Sequence, residues 1–307
     1  MKNLIPVITL LLTSNLSWAL VDYSTSSSEE IRPQRSSTTV VQKKRKSPNV
    51  SSKKSSNNRN GFQSDFLVDL GINSRSITIG DRKESASTYN VNLMFATNYN
   101  IFIEAKYWYG KTDFAALSES SEMQKGNPTF KVGFNWLELG APEEKVQVDF
   151  LAGMRLSGDS DFATQRSDKI VGIETKKFFY SFVMGLAYEL AMTGDTKSND
   201  QMDIGNIQKL TLALGWQATP DIRFLAETSQ VKIGQGDNEN YANALNSKDS
   251  FGNLKVKVLL GLSPLVDLNL GASFRTKKSS NDLVDARLWD YEAAYGNSIF
   301  SSLSISI

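Results

Sequence analysis

The chain has 307 residues, with 34 Lys and Arg against 33 Asp and Glu, and neither cysteine nor histidine. Missing cysteines exclude disulfides, thiolate metal sites and a lipid-modified cysteine anchor. Missing histidines exclude Ser-His, Asp-His and Cys-His catalysis and histidine zinc sites, which leaves no spacing that points to an enzyme, a metal centre or a cofactor.

Residues 1-19 read as a signal peptide: Lys2, an apolar run from Leu4 to Leu12, then Ser17-Trp18-Ala19 with small residues where a signal peptidase cuts. That run is too short to span a membrane as a helix, and no later segment approaches about 18 consecutive apolar residues. Export without a helical anchor leaves the periplasm, the exterior or the outer membrane.

The net charge of +1 hides an asymmetry. Residues 20-60 hold nine Lys and Arg, three Asp and Glu, and eleven serines, which leaves a net −6 on residues 61-307 once Lys2 is counted. So polar a stretch cannot bury enough apolar surface to offset its ordering entropy, and we read it as a disordered periplasmic linker. Lys43, Lys44, Arg45 and Lys46 are a solvated block or a contact for the cell wall or another anionic surface; nucleic acid is not an expected partner behind a signal peptide.

From residue 61 the apolar period becomes two, the period of a β-strand. Alternating runs cover Phe66 to Ile72, Tyr89 to Phe95, Ile101 to Tyr109, Phe130 to Trp136, Val146 to Leu156, Tyr180 to Leu190, Leu210 to Trp216 and Ile222 to Ala226. They continue through Leu254 to Leu260, Val266 to Phe274, Trp289 to Tyr295 and Ile299 to Ile307, which makes twelve candidate strands within a range of ten to fourteen. Long polar stretches at 112-127, 158-177, 192-206, 232-250 and 276-285 separate them. Two of these flank a single strand and break the alternation of short turns with long loops, so either Ile170 to Ile173 belongs to a further strand or one long connection is periplasmic.

The pair 254-274 is the clearest hairpin. Each run is long enough for a bilayer, which takes about 9–11 tilted residues, and Ser263-Pro264 makes a tight turn between them. The apolar stripe carries Tyr107, Tyr109, Trp136, Trp216, Trp289 and Tyr295 towards strand ends, as an aromatic girdle at a bilayer interface does. The opposite face holds Asp69, Glu104, Asp149, Glu189, Glu227, Asp267, Asp290 and Glu292 with Lys106, Lys131, Arg155, Lys209, Arg223, Lys255, Lys257 and Arg275, candidates to line a lumen too wide for a simple apolar filling. Eight glycines share that face, which suggests curvature or close approach on a concave side.

By this pattern residues 61-307 resemble a Gram-negative outer-membrane β-barrel of the porin-like class: all-β, transmembrane, antiparallel, with outer-membrane lipid around it. The last strand ends on Leu303, Ile305 and Ile307 and lacks the aromatic residue usual at that end. Two functions fit. One is a channel for small polar solutes with a mixed-charge lumen; the other is a non-conducting structural or surface-interaction barrel. Asp159-Ser160-Asp161 and Asp237-Asn238-Glu239 are read as turn residues, since neither completes a calcium-loop pattern.

Overall fold

A computed structural model describes residues 64–79, 82–97, 99–112, 122–141, 144–196, 201–236, 244–281 and 283–307. The expected signal peptide 1-19, the linker 20-60 with its basic block, and 237-239 lie outside them.

The described residues form β1 (Ser64–Ile79), β2 (Arg82–Thr97), β3 (Ile101–Thr112), β4 (Gln124–Lys125), β5 (Thr129–Leu139), β6 (Val146–Arg155) and β7 (Asp168–Phe179). They continue with β8 (Phe182–Met192), β9 (Ile207–Thr219), β10 (Ile222–Ile233), β11 (Asp249–Ser263), β12 (Val266–Lys277) and β13 (Ser298–Ser306). Apart from the two-residue β4, which pairs only with β3, each strand runs antiparallel to its chain neighbour. Pairing from Leu67↔Ser306 to Arg75↔Ser298 joins β1 to β13 and closes a twelve-stranded barrel. Closure leaves no open sheet edge, the condition for a sheet to cross a bilayer.

Connections at the end bearing Ser64 and Ile307 are short: 98–100, 140–145, 180–181, 220–221 and 264–265. The opposite end carries the two-residue connection 80–81 and the longer 113–128, 156–167, 193–206, 234–248 and 278–297. By the rule for such barrels the short turns are periplasmic and the long loops extracellular. Asn100 (φ 61°) and Tyr180 (φ 52°) take left-handed backbone in these tight turns. Asparagine does so readily, whereas a side chain such as tyrosine gives up about 1–2 kcal/mol for it.

The strand count is twelve, but two of its members differ from the sequence reading. Ile170 to Ile173 belong to β7, whose two-residue turn into β8 puts the long connections before β7 and after β8 at the same end of the barrel. Its outward residues Lys169, Thr175 and Lys177 interrupt the apolar stripe. The two lysines do so near its ends, Lys177 Nζ donating to the Glu144 carbonyl at 2.6 Å in the turn region, while Thr175, further in, donates its hydroxyl to the Leu186 carbonyl at 3.2 Å. Conversely, Trp289 to Tyr295 is not a strand. It lies in the connection between β12 and β13, where Arg287 (φ 50°) and Ala293 (φ 61°) break any extended run.

The stripe that faces out is apolar. Ile103, Val132, Leu214, Phe224 and Leu270 are each between 41% and 50% exposed, as suits side chains that meet lipid instead of water. Trp136, Trp216, Phe182 and Phe224 ring the periplasmic end, with Trp216 stacked between the other two of its neighbours at 6.2 Å and 5.6 Å. Tyr107 and Tyr109 make an edge contact at 5.0 Å near the extracellular end of β3. Trp289 and Tyr295 do not join this girdle; they are 1% and 4% exposed, inside the barrel.

Candidate functional site: a lumen with two halves

Inward positions change character along the barrel axis. Near the extracellular end they are apolar: Ile77, Trp108, Ile170, Ile207, Ile233 and Phe251 belong to one buried cluster. Twelve strands leave a space these side chains cannot fill alone, and the loops fill it. Phe162 from the β6–β7 loop, Leu245 from the β10–β11 loop, and Leu283, Leu288, Trp289 and Tyr295 from the β12–β13 connection complete the cluster. The expectation that a lumen this wide has no apolar filling therefore fails in the outer half, because the chain supplies the filling from its own loops.

The packing is specific. The Trp289 ring lies 4.6 Å from Phe162 and 4.8 Å from Tyr295, and Phe162 meets Trp108 at 6.1 Å. A Cβ at Gly110 would collide with the Phe162 ring, so a glycine on β3 is what lets this loop residue reach the wall. Tyr295 Oη accepts from the Leu288 N–H at 2.6 Å and donates to the Leu283 carbonyl at 3.2 Å. Arg287 Nη1 donates to the carbonyls of Ser160 and Ala163 at 2.8 and 3.2 Å, and Arg75 Nη1 donates to the Trp289 carbonyl at 2.7 Å. The connection is thereby tied to a neighbouring loop and to β1.

The lower face of this inward-folded connection carries Asp290 and Glu292, and below it the lumen is lined mostly by charges, with a small apolar cluster of Val183, Ala213, Leu225 and Leu259 towards the periplasmic turns. Both acids were expected on a strand; both instead hang from the connection and pair with the wall. Arg155 Nε lies 2.9 Å and Lys106 Nζ 3.6 Å from the Asp290 carboxylate, and Lys255 Nζ lies 2.7 Å from Glu292. Asn253 Nδ2 adds a long contact to Glu292 at 3.4 Å. Burial pushes the Glu292 carboxyl up, but Lys255, with Arg75 and Lys209 further off, outweighs it and holds the group down at about 2.

The wall charges also pair among themselves. Lys131 on β5 reaches Glu189 on β8 at 2.6 Å, and Arg223 on β10 reaches Asp267 on β12 at 2.6 Å, each pair bridging intervening strands. Arg155 also holds its register partner Asp168 at 2.8 Å, which Arg166 contacts at 3.1 Å. Asp149 meets Lys176 at 3.3 Å and accepts from Asn135, while Asp69 accepts from Asn92 and Ser304. Glu104 is 4% exposed beside Lys131. Glu227 is 1% exposed with neither oxygen hydrogen-bonded, directly opposite Lys255 in register. Among the described residues Lys209 and Lys257 form no ion pair. Lys209 instead lies 5.8 Å over the Tyr291 ring. Arg275 stands apart, half-buried at the extracellular end of β12, where its N–H donates to Asn297.

Cavities lie between these groups. One of about 170 Å³ runs between β1, β2, β3, β11, β12 and β13 from Asp267 and Ser304 up to Trp289 and Asp290. Another, about 90 Å³, lies between Glu104, Lys131, Arg155, Glu189, Lys209 and Glu292. The connection bearing Asp290 to Glu292 borders both. Sequence reasoning missed Arg75, Arg166, Asp168, Glu174 and Lys176 as inner charges. For the last three the usable signal was parity, since Ile170 and Glu174 fall on one side of β7 and Val171 and Ile173 on the other. Among the described residues no group of three or more acids could hold a metal ion, and Asp161 of the loop triplet accepts from Gln124.

No family model matches this chain, and no curated protein matches it in sequence. Its fold is similar to the crystal structure of an outer membrane channel from Pseudomonas putida F1, at 9% identity and a TM-score of 0.56, over 80% of this chain and 95% of that one. Weaker likenesses include the NanC porin, at 11% identity and TM-score 0.49 over 78% and 98% of the two chains. Another is outer membrane phospholipase A from Escherichia coli, at 12% identity and TM-score 0.44 over 78% and 92%. The closed antiparallel barrel with an apolar exterior defines the class: this is a bacterial outer-membrane β-barrel of porin-like architecture, integral to that membrane.

Proposed function

We propose that the barrel is a channel for small polar solutes, closed in the conformation described by the connection between β12 and β13, and not an enzyme. One observation carries this reading. Two polar cavities, lined by charges of both signs, are interrupted by a single non-strand segment that the wall holds through side chains at Asp290 and Glu292. A barrel with a purely structural role has no need of a charged, partly empty interior, since buried ion pairs contribute little to stability compared with apolar packing. The dry layer around Trp289 and Phe162 supports the closed state, because an apolar constriction blocks ion flow by dewetting. The competing reading, a non-conducting surface-interaction barrel, draws on the same layer.

Planar-bilayer recording separates them. Wild type is expected to give rare openings, and a variant with 283–297 replaced by a Gly-Ser linker of equal length steady single-channel steps. A folded, heat-modifiable variant with no steps would establish the non-conducting barrel.

A further inference from the structure

The two carboxylates of the inward-folded connection sit among wall bases, of which Arg155 is shared with Asp168 of β7. Asp290 lies between Arg155 of β6 and Lys106 of β3, and Glu292 faces Lys255 of β11. Lys209 of β9 borders the same small cavity without an ion-pair partner among the described residues. Three strands thus each send one base to two acids that belong to no strand, and Lys209 of a fourth lies over the Tyr291 ring between them. Arg155 is fixed from the wall by Asp168 at 2.8 Å, and the Lys255 amine lies 4.8 Å over the Phe300 ring of β13. A carboxylate binds such placed bases with charge-assisted hydrogen bonds.

We infer that Asp290 and Glu292 occupy, as tethered stand-ins, a binding site for small dicarboxylate solutes formed by Lys106, Arg155, Lys209 and Lys255. The inference rests on the channel reading, since a solute reaches this ring only when the connection leaves it. Wall carboxylates compete with such a solute: Asp168 already holds Arg155, Glu104 and Glu189 line the small cavity, and Glu227, opposite Lys255 with both oxygens unbonded, is positioned to recapture that amine on opening.

The probe is succinate. The chain with 283–297 replaced by a Gly-Ser linker, checked for folding by its heat-dependent gel shift, is titrated calorimetrically in detergent and recorded in a planar bilayer. Succinate is expected to bind the linker variant and not wild type, whose seats are filled. Combining Lys209→Gln and Lys255→Gln in the linker variant should weaken binding by about tenfold or more, the loss of one or two charge-assisted contacts. A folded linker variant that binds no succinate overturns the site and points to recapture of Lys255 by Glu227. Binding without conductance keeps the site and removes the channel reading. If the linker variant does not fold, the full chain with Asp290→Asn and Glu292→Gln is heated with and without formate, small enough for the 90 Å³ cavity. A formate-dependent rise in its unfolding temperature, absent in wild type, supports the site; no rise overturns it.

Discussion

The outer and inner halves of the lumen solve one geometric problem in opposite ways. Both are wider than strand side chains can fill. The extracellular half is closed by loop residues packed ring against ring, with Trp289, Phe162 and Leu288 at most 1% exposed. The periplasmic half, beside a small apolar cluster around Leu225 and Leu259, keeps charges, pairs most of them across strands, and leaves cavities between them. The difference teaches where stability resides. Dispersion and apolar burial hold the outer layer, whereas the inner charges return little net stability.

Truncation of the outer layer should have the largest effect. Trp289→Ala removes a buried ring from the centre of the cluster and is expected to cost about 3–5 kcal/mol, read from denaturant unfolding in detergent or lipid. An effect below about 1 kcal/mol would mean that the outer half is not the stabilising half. Next is the exterior, the reference against which both halves are measured. Leu212→Arg, an outward residue in mid-β9, should cost about 2–4 kcal/mol in lipid vesicles and much less in a water-accessible inner position. Equal damage at both would undo the face assignment.

Within the inner half, Lys131→Met leaves Glu189 with its ion-pair partner gone in a nearly buried site, a loss of about 3 kcal/mol at the low end of the range for breaking such a pair. Lys131→Met with Glu189→Leu should recover most of it; failure to recover would show that the charges are needed for folding and not only for the interior field.

Acid gives a smaller and reversible effect. The Glu292 carboxyl is held at about 2, below its ordinary 4.5, so its tie to Lys255 is fully present above about pH 4.5 and is lost as pH falls towards 2. Wild-type openings are expected to become more frequent only below about pH 3, and Glu292→Gln should show the higher frequency already at neutral pH. An increase that begins near pH 6 would assign the gate to another group. The least effect is expected at the periplasmic belt, where Trp216→Leu gives up two stacked contacts worth about 0.5–1.5 kcal/mol each.

Alternation along the chain determined the class of the molecule, because a period of two fixes which side chains share a face and a run of about ten such residues matches a bilayer. Phe130 to Trp136 and Leu254 to Leu260 could be read from order alone, and so could the opposite side of each strand. The same rule failed where a residue's setting was not a strand. WDYEAAY at 289–295 alternates because its aromatic rings pack inside a folded connection, and β7 was obscured because Lys177 ends at a membrane surface that the sequence does not mark. The pairing of Lys131 with Glu189, of Lys255 with Glu292 and of Arg155 with Asp290 was decided only by tertiary structure. Strand closure and the fold-in of residues 283–297 bring together groups as far apart in the chain as Asp69 and Ser304, 235 positions, and no local pattern carries that information.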